Sequence, residues 1–349
     1  MKVQGLNKQF WVIGENIHTT RSLLREGKLV VTAPAGVEAV RYTTIGGETR
    51  YLPILEEFKS RQDYQEGRVK HVMVAIRAAM FHGGEIAAEG MRYLQNLVEK
   101  QVKAGADYLD LNVDEFSWNR EEQKAAMSWL VRAIEPHAPV PLSIDSSNLE
   151  ILLAGIEACR CLAGKPMLNS ASRERFEALD VAAKRGLPVV VTAAGGTGMP
   201  SNAEERIENA SYIVDAALAK GIPPERMYVD ALVFPISVDS QFVLHCLDAF
   251  RALRARYGES IHLTGGLSNV SFGMPCRKLI NEVFLNLAVE AGADSGIVDP
   301  VASSLNRVFL ADKSSRPYRL ALEMLLGHDP GCMNYLDAYR EGELESQPA

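Results

Sequence analysis

Aspartate, asparagine and glutamate recur where short apolar runs of this chain end. The runs are Trp11-Val12-Ile13-Gly14-Glu15-Asn16, Tyr108-Leu109-Asp110-Leu111-Asn112, Pro141-Leu142-Ser143-Ile144-Asp145 and Pro166-Met167-Leu168-Asn169. Further on come Val189-Val190-Val191-Thr192, Tyr228-Val229-Asp230, Leu267-Ser268-Asn269-Val270 and Gly296-Ile297-Val298-Asp299. A carboxylate accepts hydrogen bonds and a carboxamide both donates and accepts them. A cup lined by both would grip a polar ligand. Nothing points to covalent attack: no Ser/His/Asp or Cys/His arrangement stands out, and no Gly-x-Ser-x-Gly elbow occurs.

Each position also has a plainer reading. Asp145 precedes Ser146-Ser147 and a helix, and Asn169 precedes Ser170-Ala171-Ser172, so both could cap helix amino termini. Asp230 lies in an apolar run with no helix starting at once, and an inward carboxylate is costly without a strong partner, which favours a ligand role. Asp110 and Asn112 alternate with Leu109, Leu111 and Val113 and so face one side of a strand. They form either a binding surface or a structural hydrogen-bond network, which Glu15 would join. The turn Gly195-Gly196-Thr197-Gly198 lacks P-loop and dinucleotide spacing and reads as a tight turn. The seven histidines show no metal-ligand spacing.

The positioning elements follow from periodicity. Buried parallel strands read as apolar runs, and polar residues at their carboxyl ends sit where eight-stranded α/β barrels build their sites. Strands are expected at 107–113, 141–145, 166–169, 188–193, 227–231, 261–265 and 295–298, after a first strand near 11–16. Helices are expected at 85–104, with Ile86, Met91, Leu94, Leu97 and Val98 on one side, and at 121–134, 148–159, 173–185, 203–220, 240–257 and 277–291. Eight strand–helix repeats predict an α/β (β/α)8 TIM barrel with a long insertion after the first strand. Residues 1–349 read as a single barrel domain, within which 19–83 form an inserted lid or docking segment. In that segment Val40–Thr44 and Thr49–Leu52 flank Gly46-Gly47 like a hairpin. The tail from Gly342 to Ala349 reads as frayed.

Bulk properties narrow the class. The chain has 349 residues, 47% hydrophobic, with net charge −7. The acidic balance disfavours nucleic acid and anionic membranes. No run approaches the ~20 apolar residues of a membrane span, and the amino terminus has no basic-then-apolar leader. Cys159, Cys161, Cys246, Cys276 and Cys332 form no Cys-x-x-Cys pair, so neither a disulfide framework nor a structural zinc site is indicated. A cytoplasmic, reducing location is expected.

Gly14-Glu15-Asn16-Ile17-His18, Leu109-Asp110-Leu111-Asn112-Val113, Ser143-Ile144-Asp145-Ser146, Met167-Leu168-Asn169-Ser170, Tyr228-Val229-Asp230 and Gly266-Leu267-Ser268-Asn269-Val270-Ser271 occur in this order. Over roughly residues 8–18 and 84–312, the chain resembles the pterin-binding methyltransferases. These are the methyltetrahydrofolate:corrinoid protein methyltransferases, the folate domain of cobalamin-dependent methionine synthase and, more distantly, dihydropteroate synthase.

The resemblance implies a barrel that binds tetrahydrofolate or methyltetrahydrofolate and moves a methyl group between pterin nitrogen-5 and the cobalt of a corrinoid. Asp145, Asn169 and Asp230 match the pterin anchors, with Glu15 in the same network. Arg277 matches a position near the folate. Asn269 matches the catalytic asparagine, whose hydrogen bond would strengthen as nitrogen-5 gains electron density. Asp110 and Asn112 would orient this network. No protein nucleophile or metal is implied. The chain has no Asp-x-His-x-x-Gly corrinoid motif, so cobalamin is expected on a separate corrinoid protein. Homodimers are usual among such enzymes.

Three departures stand out. Asn16 and His18 replace an Arg and an Asn common at the first strand, and His18 titrates near neutrality, so it could make the rate pH-dependent. Phe272 stands where some members carry a polar residue. The 19–83 segment has no counterpart in the simplest members. Two rival functions are a dihydropteroate synthase-like enzyme and a non-catalytic pterin-binding accessory protein. The synthases carry Ser-Arg-Lys where this chain has Ser268-Asn269-Val270, so a diphosphate would lack its cations. The retained anchors and Asn269 weigh against the accessory protein.

Overall fold

A computed structural model describes residues 9–196, 198–302 and 305–344. Eight parallel strands form one sheet: β1 (Trp11–His18), β2 (Tyr108–Asn112), β3 (Leu142–Asp145), β4 (Met167–Ala171), β5 (Val189–Thr192), β6 (Met227–Asp230), β7 (His262–Thr264) and β8 (Ser295–Val298). Their order is β7-β6-β5-β4-β3-β2-β1-β8. A bridge between Gly266 and Ile297 returns β8 to the end of β7. This is the expected (β/α)8 barrel fold. The helices that follow are α1 (Gly84–Lys103), α2 (Arg120–Ile134), α3 (Leu149–Ala158), α4 (Glu177–Arg185), α5 (Ala203–Ala219), α6 (Gln241–Tyr257), α7 (Arg277–Glu290) and α8 (Arg316–Leu325).

The chain divides into two compact units, Gly14–Asn169 and the remainder. In the first, all five residues of β2 are buried. Leu109 and Leu111 supply the apolar face, and the pleat sends Asp110 and Asn112 to the other. Register places Asn112 opposite Asp145, and Asp145 opposite Asn169, in one row across three strand ends. Asn148 and Asn119 cap α3 and α2 by accepting backbone N–H bonds.

Between β1 and α1, more is folded than the expected hairpin. Glu38–Thr43 pairs antiparallel with Thr49–Pro53 and also with Val30–Thr32, giving three strands. Leu23–Leu24 pairs with Arg68–Val69, and a helix spans His71–Phe81. That helix lies so close to α1 that a Cβ on Gly90 would come within 2.6 Å of the Ala75 carbonyl oxygen. The expected apolar side of α1 therefore needs correction. Ile86 is 39% exposed, whereas polar Glu89, Asn96 and Gln101 are buried. Glu89 accepts from Tyr42 at 2.6 Å and from Arg50 Nη2 at 2.6 Å. Gln101 Oε1 accepts from the Asn16 amide at 3.0 Å. Partners on neighbouring elements, absent from helical periodicity, make that burial tolerable.

In the second unit, Thr192 lies opposite Asp230, and Asp230 opposite Thr264. Three further expectations change. Leu267–Ser271 is a 3-10 helix, not a strand end, and strand seven stops at Thr264. Helix α4 starts at Glu177 rather than 173, because the Arg175 amide donates to Ser172 Oγ at 3.2 Å in a preceding turn. Leu344 is buried, so fraying cannot start at Gly342, and residues 345–349 of the expected tail lie outside the described residues. After β5, the Gly195 amide donates to the Gly198 carbonyl at 3.0 Å, which draws the glycine run together but runs opposite to the carbonyl-to-amide bond of a tight turn; Thr197 lies outside the described residues. Among the described residues no helix is long and apolar enough to cross a membrane.

Candidate functional site

Within the Gly14–Asn169 unit, the predicted residues of β1 to β4 meet through their side chains. His18 Nε2 lies 2.7 Å from Asp110 Oδ2, and Asn169 Nδ2 donates to Asp110 Oδ1 at 3.3 Å. Asn112 Nδ2 donates to Asp145 Oδ2 at 2.8 Å, while Asn112 Oδ1 accepts from the Asp114 amide at 2.9 Å. Arg21 Nη1 reaches Glu15 Oε1 at 3.4 Å. Asn16 Oδ1 is buried without a hydrogen-bond partner.

Charge and burial compete in this cluster. Burial alone would lower the His18 pKa, but the hydrogen bond and negative charge of Asp110 outweigh it and hold the imidazole above its ordinary value. Burial and the Asp110 charge push the Asp145 carboxyl far above the usual carboxylate range, against the pull of His18 and the Asn112 bond. One carboxylate here is thus paired and the other readily protonated. The ligand atoms of His18, Asp110 and Asp145 also lie within 4.8 Å of one another, close enough to converge on one cation. Sequence spacing gave no sign of this convergence, because three separate strands bring it about.

The capping readings fail for Asp145 and Asn169. Asn148, not Asp145, caps α3, and Ser172 opens the turn after β4. Asp114, missed in the sequence, accepts from Ser146 Oγ at 2.6 Å and from the Ser147 amide at 2.8 Å, which fixes the loop after β3. Its only sequence signal is its place just past Asn112.

In the second unit, Asp230 Oδ1 accepts from the Leu232 amide at 2.7 Å. Burial raises its pKa to about 6, although that bond and the Arg206 charge pull it down. Asn269 sits exposed on the 3-10 turn. Arg277 braces that turn, donating to Ser271 Oγ and the Ser268 carbonyl at 3.0 Å each. Arg277 is thereby tied to the residues on either side of Asn269 in the turn. Thr192 and Thr264 flank Asp230, and the hydroxyl oxygen of each is buried without a partner.

Carboxylates and amides stand at the carboxyl ends of these parallel strands, where α/β barrels build their sites. Residues 80–299 match the family model described as pterin binding enzyme, and the chain belongs to that family. It is 29% identical over 259 residues to a methylcorrinoid:tetrahydrofolate methyltransferase of Eubacterium limosum, covering 72% of this chain and 89% of that protein. It is 28% identical over 226 residues to a methionine synthase of Mycobacterium leprae, covering 60% of this chain but only 18% of that protein. Among solved structures, a dihydropteroate synthase from Stenotrophomonas maltophilia aligns with TM-score 0.51 and 19% identity, covering 65% of this chain and 87% of the other. That likeness bears on the fold alone.

Proposed function

We propose that the protein is a methyltransferase that moves a methyl group between nitrogen-5 of tetrahydrofolate and the cobalt of a corrinoid carried by a partner protein. The observation that carries this reading is the row Asn112, Asp145, Asn169 beside the His18–Asp110 pair. Such a row offers acceptors and donors to a flat heterocycle with mixed edges. The match along 89% of a relative named for methylcorrinoid:tetrahydrofolate transfer directs it to this reaction.

Asp145 and Asn169 would hold the pterin ring, with Asp110, Asn112 and Glu15 orienting them. Asp230 would accept from a ring N–H and the neighbouring amino group, a charge-assisted arrangement. Asn269 would donate to nitrogen-5 as negative charge builds there, stabilising the leaving nitrogen rather than supplying a proton. The corrinoid cobalt supplies the other end of the methyl exchange.

Stopped-flow mixing of the protein with reduced cobalamin and methyltetrahydrofolate tests the reading. The cobalt spectrum should pass to the methylated form at a rate proportional to protein concentration. A folded protein that leaves the spectrum unchanged, with free cobalamin and with a corrinoid protein, refutes it.

A further inference from the structure

Arg206, on α5, is the largest fully buried side chain among the described residues, with 0% exposure. It makes no ion pair with any described carboxylate at salt-bridge distance. A buried cation left that way is costly unless other groups answer it. Here Nε donates to the Leu232 carbonyl at 3.4 Å and Nη1 to the Asn202 carbonyl at 3.0 Å. The guanidinium lies 4.7 Å from the Phe234 ring centroid and 5.8 Å from that of Phe242. Nη2 has no partner.

The residue that Arg206 grips is itself strained. Leu232 has φ +63°, the left-handed region that a leucine rarely adopts. Such a residue persists only where its surroundings over-determine it. Both backbone polar groups of Leu232 are held: the N–H by Asp230 and the C=O by Arg206. Asp230 and Arg206 thus hold one strained residue through the two peptide groups that flank it.

We infer that Arg206 is a positioning residue for the Asp230 carboxylate: it fixes the strained turn whose amide holds one carboxylate oxygen, and it sets a buried cation behind that turn. The use of that cation to a ligand rests on the folate reading above, in which Asp230 must accept two hydrogen bonds. Among the described residues, the groups flanking Asp230 on β5, β7 and α6 carry no competing charge. Thr192 of β5 and Thr264 of β7 are neutral, and burial pushes the Cys246 thiol on α6 up to about 12.

The Leu232 amide donates to Asp230, so its resonance reports the ionisation of Asp230 without any ligand. The full chain is labelled with 15N-leucine, the resonance is assigned with Leu232→Met, and its shift is followed against pH. The wild-type midpoint should lie near Asp230's value of about 6. Arg206→Met should move it up by about one pH unit, and Arg206→Lys should hold it within about 0.3. Methyltetrahydrofolate affinity should then fall about fivefold at pH 6 in Arg206→Met, with the deficit nearly gone at pH 8, as a one-unit shift requires. An unmoved midpoint in folded Arg206→Met overturns the inference. If Arg206→Met does not fold, Arg206→Lys decides. An unmoved midpoint with Leu232 amide exchange roughly tenfold faster supports the role, because the charge stays while the fork is lost. A shifted midpoint or unchanged exchange overturns it. Titration as expected without folate binding would sink the proposed function and leave Arg206's role standing.

Discussion

His18→Asn tests whether the imidazole carries charge in the folded chain. The pair with Asp110 is close, 2.7 Å, and Asp110 is only 1% exposed. At an effective dielectric near 20, a charged pair at that distance gains about 6 kcal/mol of Coulomb energy, most of which desolvation cancels. A hydrogen bond to a charged group retains a net ~1.5–3 kcal/mol, against ~0.5–1.5 for a neutral one. A histidine whose pKa is raised on folding stabilises the fold fully below its unfolded value near 6.5 and loses that share as pH rises through the folded value. His18 is such a group. The substitution should therefore cost about 2–3 kcal/mol at pH 6 and about 1 kcal/mol at pH 9. With roughly 2 cal/mol/K of unfolding entropy per residue, a chain of this length loses about 3–4 °C in Tm at pH 6 and about 1–1.5 °C at pH 9. Differential scanning fluorimetry across that range reads the difference. A penalty that is flat, or that grows with pH, would show that His18 is not charged through Asp110.

Asn269→Ala should slow methyl transfer roughly ten- to a thousand-fold in single-turnover assays while changing folate affinity only modestly; an unchanged rate in a folded variant removes its assigned role. Asp230→Asn should weaken methyltetrahydrofolate binding roughly ten- to a hundred-fold at pH 8, where the carboxylate is ionised, and much less at pH 5. Calorimetry showing equal loss at both pH values would contradict an acceptor that loses its charge near 6. Asn148→Ala should cost about 1 kcal/mol of stability, or about 1–2 °C in Tm, with folate affinity unchanged, because the cap and the ligand row are separate residues. Dialysis against a chelator should leave transfer within about twofold of the starting rate; activity lost and then restored by one divalent metal would instead make His18, Asp110 and Asp145 its ligands.

The barrel and the row on β2 to β4 were legible because both follow from local pattern. Apolar runs of four or five residues set the strands. The alternation of Leu109, Leu111 and Val113 with Asp110 and Asn112 set which side chains share a face. What escaped depended on partners distant in sequence. Glu89 and Gln101 look like surface residues of α1 until Arg50, Tyr42 and the Asn16 amide are brought to them. Arg206 resembles one more charge in the run Glu204-Glu205-Arg206, and only the turn at Leu232 explains its burial. Asp145 reads as a cap because four polar residues, Asp145 to Asn148, precede α3, and nothing local tells which one faces the helix. The 3-10 turn at Leu267–Ser271 was misread because its leucine and valine mimic a strand.

The Glu89 anchor also bears on how residues 19–83 can behave. Tyr42 and Arg50, on adjacent strands of that segment, both fasten to one carboxylate that is 5% exposed on α1. Freeing the segment would strip a buried anion of several charge-assisted bonds at ~1.5–3 kcal/mol each, so a detached form would make up less than about one molecule in a thousand. Of the two expectations for residues 19–83, this anchoring favours a docking relief over a moving lid. A lid motion of the segment would have to draw Arg50 away from Glu89.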